Sequence, residues 1–359
     1  MAKQSANTAQ NLLDAVRPSK DDGPLRSAVL STYGLSLDQP NFFEHDFLPT
    51  LLGLGGVRDR GYVAPVALEK KLTDIYCALI CDAHAVVESP RPSLRVDVIP
   101  IAKPRHHAKI VLIHRQRLVR IIVSSANLTH DGYRSQREVA AVLDFRPDGG
   151  LPPIILRDMV ADWLAAIGDA AKAPLRAALA NAVSAAAGWP ALPMKGQVPS
   201  IRVVHGGGQT PLWRQLVDAW PRGEPVLNWQ ICSPFWPGTD SQTTPFEVIA
   251  EALRQREAPL DRTELEVICP ADAVGDRARP VFPFGMLRGL RDRGFQVIRG
   301  RLVPARLETL DEEVPDRKTE GHRTLHAKCV MLCGPKTVVA PLGSANFTNT
   351  GLGVTLGAN

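Results

Sequence analysis

The sequence predicts an α/β fold, a duplicated α/β/α sandwich whose two pseudo-symmetric halves form one active site. Two observations predict it. Strand and helix signals follow one another in a similar order on both sides of an alanine-rich middle, and one motif is written twice. His107-Ala108-Lys109 is followed by seventeen residues and Asn127, and His326-Ala327-Lys328 by seventeen residues and Asn346, each Asn closing Ser-Ala-Asn. A chain of 359 residues also exceeds the usual single core, which fits a bilobal molecule.

Residues 1–24 read as a flexible lead-in and 25–150 as the first half. The apolar run Ala28 to Thr32 predicts a strand. The segment NFFEHDFLPTLL then sets Phe43, Phe47 and Leu51 on one helical face, with Pro49 kinking or dividing the helix. Leu68, Leu72, Ile75 and Leu79 recur at helical spacing and predict a second helix. In RVDVIPIA, Val96, Val98, Ile99 and Ile101 predict a strand that Pro100 assigns to an edge or a strand end. HAKIVLI, RLVRIIVSS and REVAAVLDF are three further β-rich runs.

Residues 151–199 form a helical insert and linker, alanine-rich, broken at Pro174 and ended by Gly188. In the second half, 200–359, VLNWQICSPFW predicts a strand. The next helix has Thr244 as N-cap, Pro245 as first helical residue and Glu247 closing a capping box. LEVIC predicts a strand, PFGMLRGLRDRG a helix stopped by Gly294, FQVIRGRLV a strand, and the charged stretch from Val303 to Arg323 a loop.

The composition is 45% apolar and 22% charged, and no apolar run reaches membrane-span length. The first residues lack the apolar core of a secretion signal, so a cytoplasmic protein is expected. Cys77, Cys81, Cys232, Cys269, Cys329 and Cys333 contain no Cys-x-x-Cys pair and are read as buried free thiols. A net charge of +5 leans toward a polyanionic partner such as nucleic acid or acidic lipid.

On a strand, residues at i and i+2 share a face, so each motif is expected to project one imidazole and one ammonium together. The Asn, arriving from the next β run, adds an amide donor. Two His, two Lys and two Asn suit a phosphodiester. The lysines and amides compensate the non-bridging oxygens as charge builds in the transition state, one neutral imidazole attacks phosphorus, and the other protonates the leaving oxygen. With two lysines supplying positive charge, no metal or other cofactor is required.

The paired His-x-Lys…Asn motifs resemble those of the phospholipase D superfamily, over most of the chain outside the insert. An Asp usual five residues after the Lys is replaced by His114 and Cys333. That departure, the run HAKIVLI…SSANLTHDGY and the opening AVLSTYGLS are more similar to the tyrosyl-DNA phosphodiesterase branch than to lipid-cleaving members. The resemblance implies a fold of phospholipase D type, His107 as nucleophile and His326 as general acid and base. It also implies Lys109, Lys328, Asn127 and Asn346 as phosphate ligands, and Glu138 as a polar support for the catalytic His. The offset of Glu138 from Asn127 falls on Gly357 in the second copy, and the chain stops at Asn359. A longer parent protein with a further C-terminal region is therefore expected, with the first half-site the more completely specified.

The expected function is a metal-independent phosphodiesterase acting on nucleic acid, DNA foremost. It would work as a nuclease or remove an adduct from a 3′ end as in DNA repair, through a phosphohistidine, with a monomer sufficient for catalysis. The alternatives are a phospholipase or phosphatidyl transferase acting on lipids, and a non-catalytic nucleic-acid-binding module. Ser125 and Ser344 are read as supporting turn residues rather than nucleophiles, and His106 and His114 as exposed or packing residues. Arg288, Arg291, Arg293, Arg299 and Arg301 either line a nucleic-acid groove or form a solvated face.

Overall fold

Segments buried without alternation, such as Cys77–Asp82 and Ile110–Arg115, form the centre of the first sheet, whereas Asn228–Cys232 and Cys329–Cys333 in the second alternate between buried and half-buried residues. The computed structural model describes residues 11–36, 47–54, 69–87, 95–102, 106–134, 136–193, 199–204, 210–238, 243–274, 277–283, 295, 297–304 and 325–354. Through the first half run α1 (Leu12–Val16), β1 (Leu25–Ser31), β2 (Leu35–Ser36), α2 (Phe47–Leu51), β3 (Tyr76–Asp82), β4 (Val86–Val87), β5 (Asp97–Ile101), β6 (Ile110–Arg115), β7 (Leu118–Ser124), α3 (His130–Arg134) and β8 (Ala140–Phe145). Then come α4 (Pro153–Ile167), α5 (Ala173–Ala186), α6 (Leu212–Asp218), β9 (Asn228–Cys232), α7 (Pro245–Gln255), β10 (Glu264–Val274), β11 (Arg277–Pro280), β12 (Val297–Pro304), β13 (Cys329–Cys333), β14 (Val338–Val339) and α8 (Asn349–Leu352).

The chain divides into two compact units. The first comprises Met1–Val123, Asn127–Ser135 and Ala140–Arg202; the second takes Ser124–Ala126 and Gln136–Val139 together with Val203–Asn359. The first unit's sheet has the order β5-β3-β1-β6-β7-β8. β1 pairs in parallel with β3 and β3 with β5, while β6 is antiparallel to both β1 and β7. In the second unit β9 is parallel to β10 and β10 to β12, while β13 is antiparallel to β9 and β14. Strand for strand, β1, β3, β5, β6 and β7 match β9, β10, β12, β13 and β14. The duplication expected from the repeated motif is therefore a duplication of topology.

The helix expected from Leu68 to Leu79 is shorter than its spacing implies: residues 69–72 are helical, and residues 73–79 are not. Leu72 is buried, but Ile75 leads directly into β3, and Leu79 pairs with Leu30 of β1. The run Cys77 to Asp82 is buried throughout, so both strand faces are apolar and residues four apart on it mimic a helical stripe. Pro100 does lie in an edge strand, β5, where a missing N–H is tolerated. The helical face expected from Phe43 to Leu51 is seen from Phe47 onward, residues 37–46 lying outside the described residues, and α2 carries Pro49 within it. The helix expected over 283–294 and most of the loop to Arg323 lie outside the described residues too.

The alanine-rich segment packs on the first unit. Leu175, Ala178, Leu179, Ala182 and Ala186 form the buried face of α5, which contacts β1 and β3, and small side chains allow that close approach. Pro174 sits in the first turn of α5, where its missing N–H has no helical partner to lose. In the second unit Trp220, Trp229, Phe246, Phe295 and Phe347 gather in one core, with Phe246 and Phe347 edge to face at 4.5 Å between ring centroids. All six cysteines are free, four of them buried. Among the described residues no helix is long and apolar enough to cross a membrane.

The start of α7 is formed as expected. Thr244 Oγ1 accepts from Glu247 N at 3.4 Å, and Glu247 Oε2 accepts from Thr244 N at 2.8 Å. Replacing Thr244 by Ala removes that cap and is expected to cost about 1 kcal/mol. Urea unfolding measures the loss, and hydrogen exchange localises it to the first turn of α7.

Candidate active site

Both His-Ala-Lys motifs lie just before a strand instead of on one, which corrects the expected placement. β6 begins at Ile110 and β13 at Cys329. The ladder sets this limit: Val111 pairs with Leu30 near the end of β1, and Cys329 pairs with Cys232, the last residue of β9. Beyond those points the partner strand has ended, and its last side chain replaces the ladder. Ser31 Oγ donates to Ala108 O at 2.9 Å, and Cys232 Sγ donates to Ala327 O at 3.7 Å.

The next residue along each strand completes the anchor. Thr32 Oγ1 accepts from Leu128 N at 3.1 Å, and Ser233 Oγ accepts from Phe347 N at 3.1 Å. Leu128 and Phe347 directly follow the two motif asparagines. One dipeptide at a strand end, Ser31-Thr32 in one unit and Cys232-Ser233 in the other, thus ties the His-Ala-Lys segment to the Asn loop.

In each unit the lysine folds back on its own motif. Lys109 Nζ donates to His107 O at 3.2 Å and lies 3.1 Å from His107 Nδ1. Lys328 Nζ donates to His326 O at 2.6 Å. Both lysines are buried. Burial pushes Lys328 down to about 8, although Glu138 and Cys232 oppose that shift. Tyr33 packs its ring 4.6 Å from that of His107.

Glu138 is placed differently from the expectation that made the first half-site the more complete. Its segment belongs to the second unit, and Oε1 lies 2.5 Å from His326 Nδ1. Arg137 O accepts from the backbone N–H groups of both His326 and Ala327, at 3.0 and 2.9 Å. The carboxylate absent from the second copy's own sequence is supplied from near the first. Ser125 Oγ donates to the other Glu138 oxygen and accepts from Val139 N at 3.0 Å. Fully buried, Ser125 is a support for Glu138, in keeping with its reading as a non-nucleophile. Ser344 makes no such contact among the described residues, and Gly357 lies outside them.

Asn127 and Asn346 bury their amide oxygens, and among the described residues neither Oδ1 has a hydrogen-bond partner. His106 is held by Ser31 Oγ at 2.6 Å through Nε2 and by Asp82 Oδ2 at 2.8 Å through its backbone N–H. His114 is buried on β6, while His106 is half-buried. Arg299 and Arg301 pair with Glu264 and Glu266, at 3.4 and 2.9 Å, while Arg288, Arg291 and Arg293 lie outside the described residues.

The strand-end dipeptides escaped the sequence reading. Their signal was a small polar pair closing the first strand of each half, Ser-Thr in one copy and Cys-Ser in the other.

No family model matches the chain, and no curated protein matches it in sequence. Among solved structures it is similar to yeast tyrosyl-DNA phosphodiesterase, with a TM-score of 0.52 and 12% identity over 95% of this chain and 82% of that one. A mutant of the yeast enzyme gives 0.50 and 10%, covering 95% and 81%. At such identity the likeness establishes the fold alone, a duplicated α/β fold shared with that enzyme.

Burial pushes the His106 imidazole down to about 4, with Lys109 adding to the shift and Asp82 opposing it. Below its ordinary value of 6.5 the unfolded chain takes up a proton that the folded chain refuses. The stabilisation is therefore complete above about pH 6.5 and lost as pH falls toward 4, an effect of about 3 kcal/mol. Comparing urea midpoints of the unmodified chain and His106→Gln from pH 7 to 4 isolates this contribution, which is expected only in the former.

Proposed function

We propose that the chain is a metal-independent phosphodiesterase acting on nucleic acid, working through a covalent phosphohistidine. The observation that carries the reading is the recurrence of one half-site in both units: a buried lysine folded onto its own histidine, beside a loop asparagine whose amide oxygen is the buried end. That orientation leaves the NH₂ as the end of each amide suited to an anion. Buried ammonium groups bind phosphate oxygens more strongly than exposed ones, because water competes less.

The reading requires both half-sites to act on one phosphorus. His107 attacks it in line, forming a P–N bond as the P–O bond to the leaving group breaks. His326, as imidazolium, gives its proton to the departing oxygen. The resulting neutral imidazole then takes a proton from water, whose oxygen attacks phosphorus and releases His107. A carboxylate at one ring and an ammonium at the other support this division of labour. Glu138 accepts from Nδ1 of His326 and compensates an imidazolium there, while Lys109 faces Nδ1 of His107 and works against a second positive charge. Lys109, Lys328, Asn127 and Asn346 bind the non-bridging oxygens. Positive charge comes from the protein, so no metal takes part in any step.

Nucleic acid is favoured as substrate by the fold shared with a phosphodiesterase whose name specifies DNA, and by the net charge of +5. Single-stranded DNA, duplex DNA, RNA, a 3′-phosphotyrosyl oligonucleotide and phospholipid vesicles, each tested with EDTA, separate the possible products. Cleavage of an oligonucleotide is expected to survive EDTA and to fall by at least about a thousandfold in His107→Ala, the scale of losing a catalytic nucleophile. Strict dependence on added Mg²⁺, or release of lipid headgroup without nucleic-acid cleavage, contradicts the proposal.

The shift of Lys328 sets the alkaline limit. Loss of its proton removes a positive charge from the phosphate, so kcat/KM is expected to decline as pH rises through about 8. Lys328→Arg keeps its charge at all accessible pH and moves that decline upward. An unchanged alkaline limb in this variant contradicts the assignment.

A further inference from the structure

Asn127 and Asn346 are held in a way that neither side chain accounts for. No hydrogen bond to either Oδ1 fixes the amide among the described residues, so its direction must come from the backbone that carries it. That backbone is built identically in both units. The carbonyl of each Asn accepts from the N–H of the Thr two residues on, Thr129 at 2.7 Å and Thr348 at 2.8 Å. Each Thr hydroxyl in turn accepts from the N–H of a glycine three residues further, Gly132 and Gly351, both at 3.0 Å. The residue between Asn and Thr, Leu128 or Phe347, is buried and anchored through its own N–H by Thr32 or Ser233.

The glycine closes the device. A Cβ on Gly132 would lie 2.5 Å from Asn127 O, and a Cβ on Gly351 would lie 2.4 Å from Asn346 O. Neither glycine has a positive φ, so space and not conformation demands the residue. Any side chain there must displace the asparagine's own backbone. The sequence carries this as Asn-x-Thr-x-x-Gly twice, in SANLTHDG and SANFTNTG, beyond the Ser-Ala-Asn by which the repeat was first recognised.

We infer that Thr129 with Gly132, and Thr348 with Gly351, are positioning residues that aim the amides of Asn127 and Asn346 at phosphate. The inference rests on the reading of these asparagines as phosphate ligands. The two copies differ at three of the eight positions, Leu128 against Phe347, His130 against Asn349 and Asp131 against Thr350, and retain those that make the loop. Duplicated geometry through differing side chains argues for a requirement of the amide, since packing alone is satisfied differently by Leu128 and Phe347.

The test is a double-mutant cycle read by binding of inorganic phosphate to the full chain, measured by calorimetry for the unmodified protein, Asn127→Ala, Gly132→Ala and the double variant. Loss of one charge-assisted hydrogen bond weakens binding roughly tenfold or more. Gly132→Ala is expected to weaken it about as much as Asn127→Ala, and the double variant no further, because both remove one contact. Losses that multiply, or a Gly132→Ala protein that binds like the unmodified chain while Asn127→Ala does not, overturn the inference and leave the phosphate reading standing. Undiminished binding by Asn127→Ala, or no binding by the unmodified chain, overturns both. Gly188→Ala, where a Cβ meets nothing within 4 Å, serves as control. If Gly132→Ala does not fold, Thr129→Ser and Thr129→Val decide instead. The hydroxyl-retaining variant is expected to bind normally and Val to lose affinity, and equal affinity in the two overturns the inference.

Discussion

Each half-site depends on a strand that stops at the right residue. Where β1 and β9 end, the main-chain ladder passes to two side chains, one holding the Ala between His and Lys and the other the residue after Asn. The end of an interior strand is stiff, so segments pinned to it inherit that stiffness although they are not strands themselves. The chemistry-bearing side chains therefore sit on irregular backbone held at the end of regular structure, which is where a loop can approach a ligand without losing its geometry.

Burying a lysine is the second constraint. Removing an ammonium from water costs several kcal/mol unless partners compensate, and the fold meets that cost twice by turning the chain back so that the carbonyl of the motif's own His accepts from Nζ. The same burial that depresses Lys328 makes an arriving anion attractive.

Much of this was legible from sequence because chemistry leaves fixed offsets. His107, Lys109 and Asn127 recur at identical spacing as His326, Lys328 and Asn346, and the capping box at Thr244 is a local pattern that local forces satisfy. What was illegible depended on distance or on disguise. β3 resembled a helix because a strand buried on both faces carries no alternation. Glu138 belongs with His326, 188 residues away, and no spacing within one copy reveals that. The strand-end pairs differ in chemistry, a hydroxyl in Ser31 and a thiol in Cys232, so they match in role while looking unrelated as letters.

The placement of Glu138 bears on how the molecule can be divided. A fragment ending at Arg202 keeps the carboxylate without the imidazole it serves, and one beginning at Val203 keeps the imidazole without its carboxylate. A cut between the two repeats in sequence is therefore a cut through one acid–base pair in space.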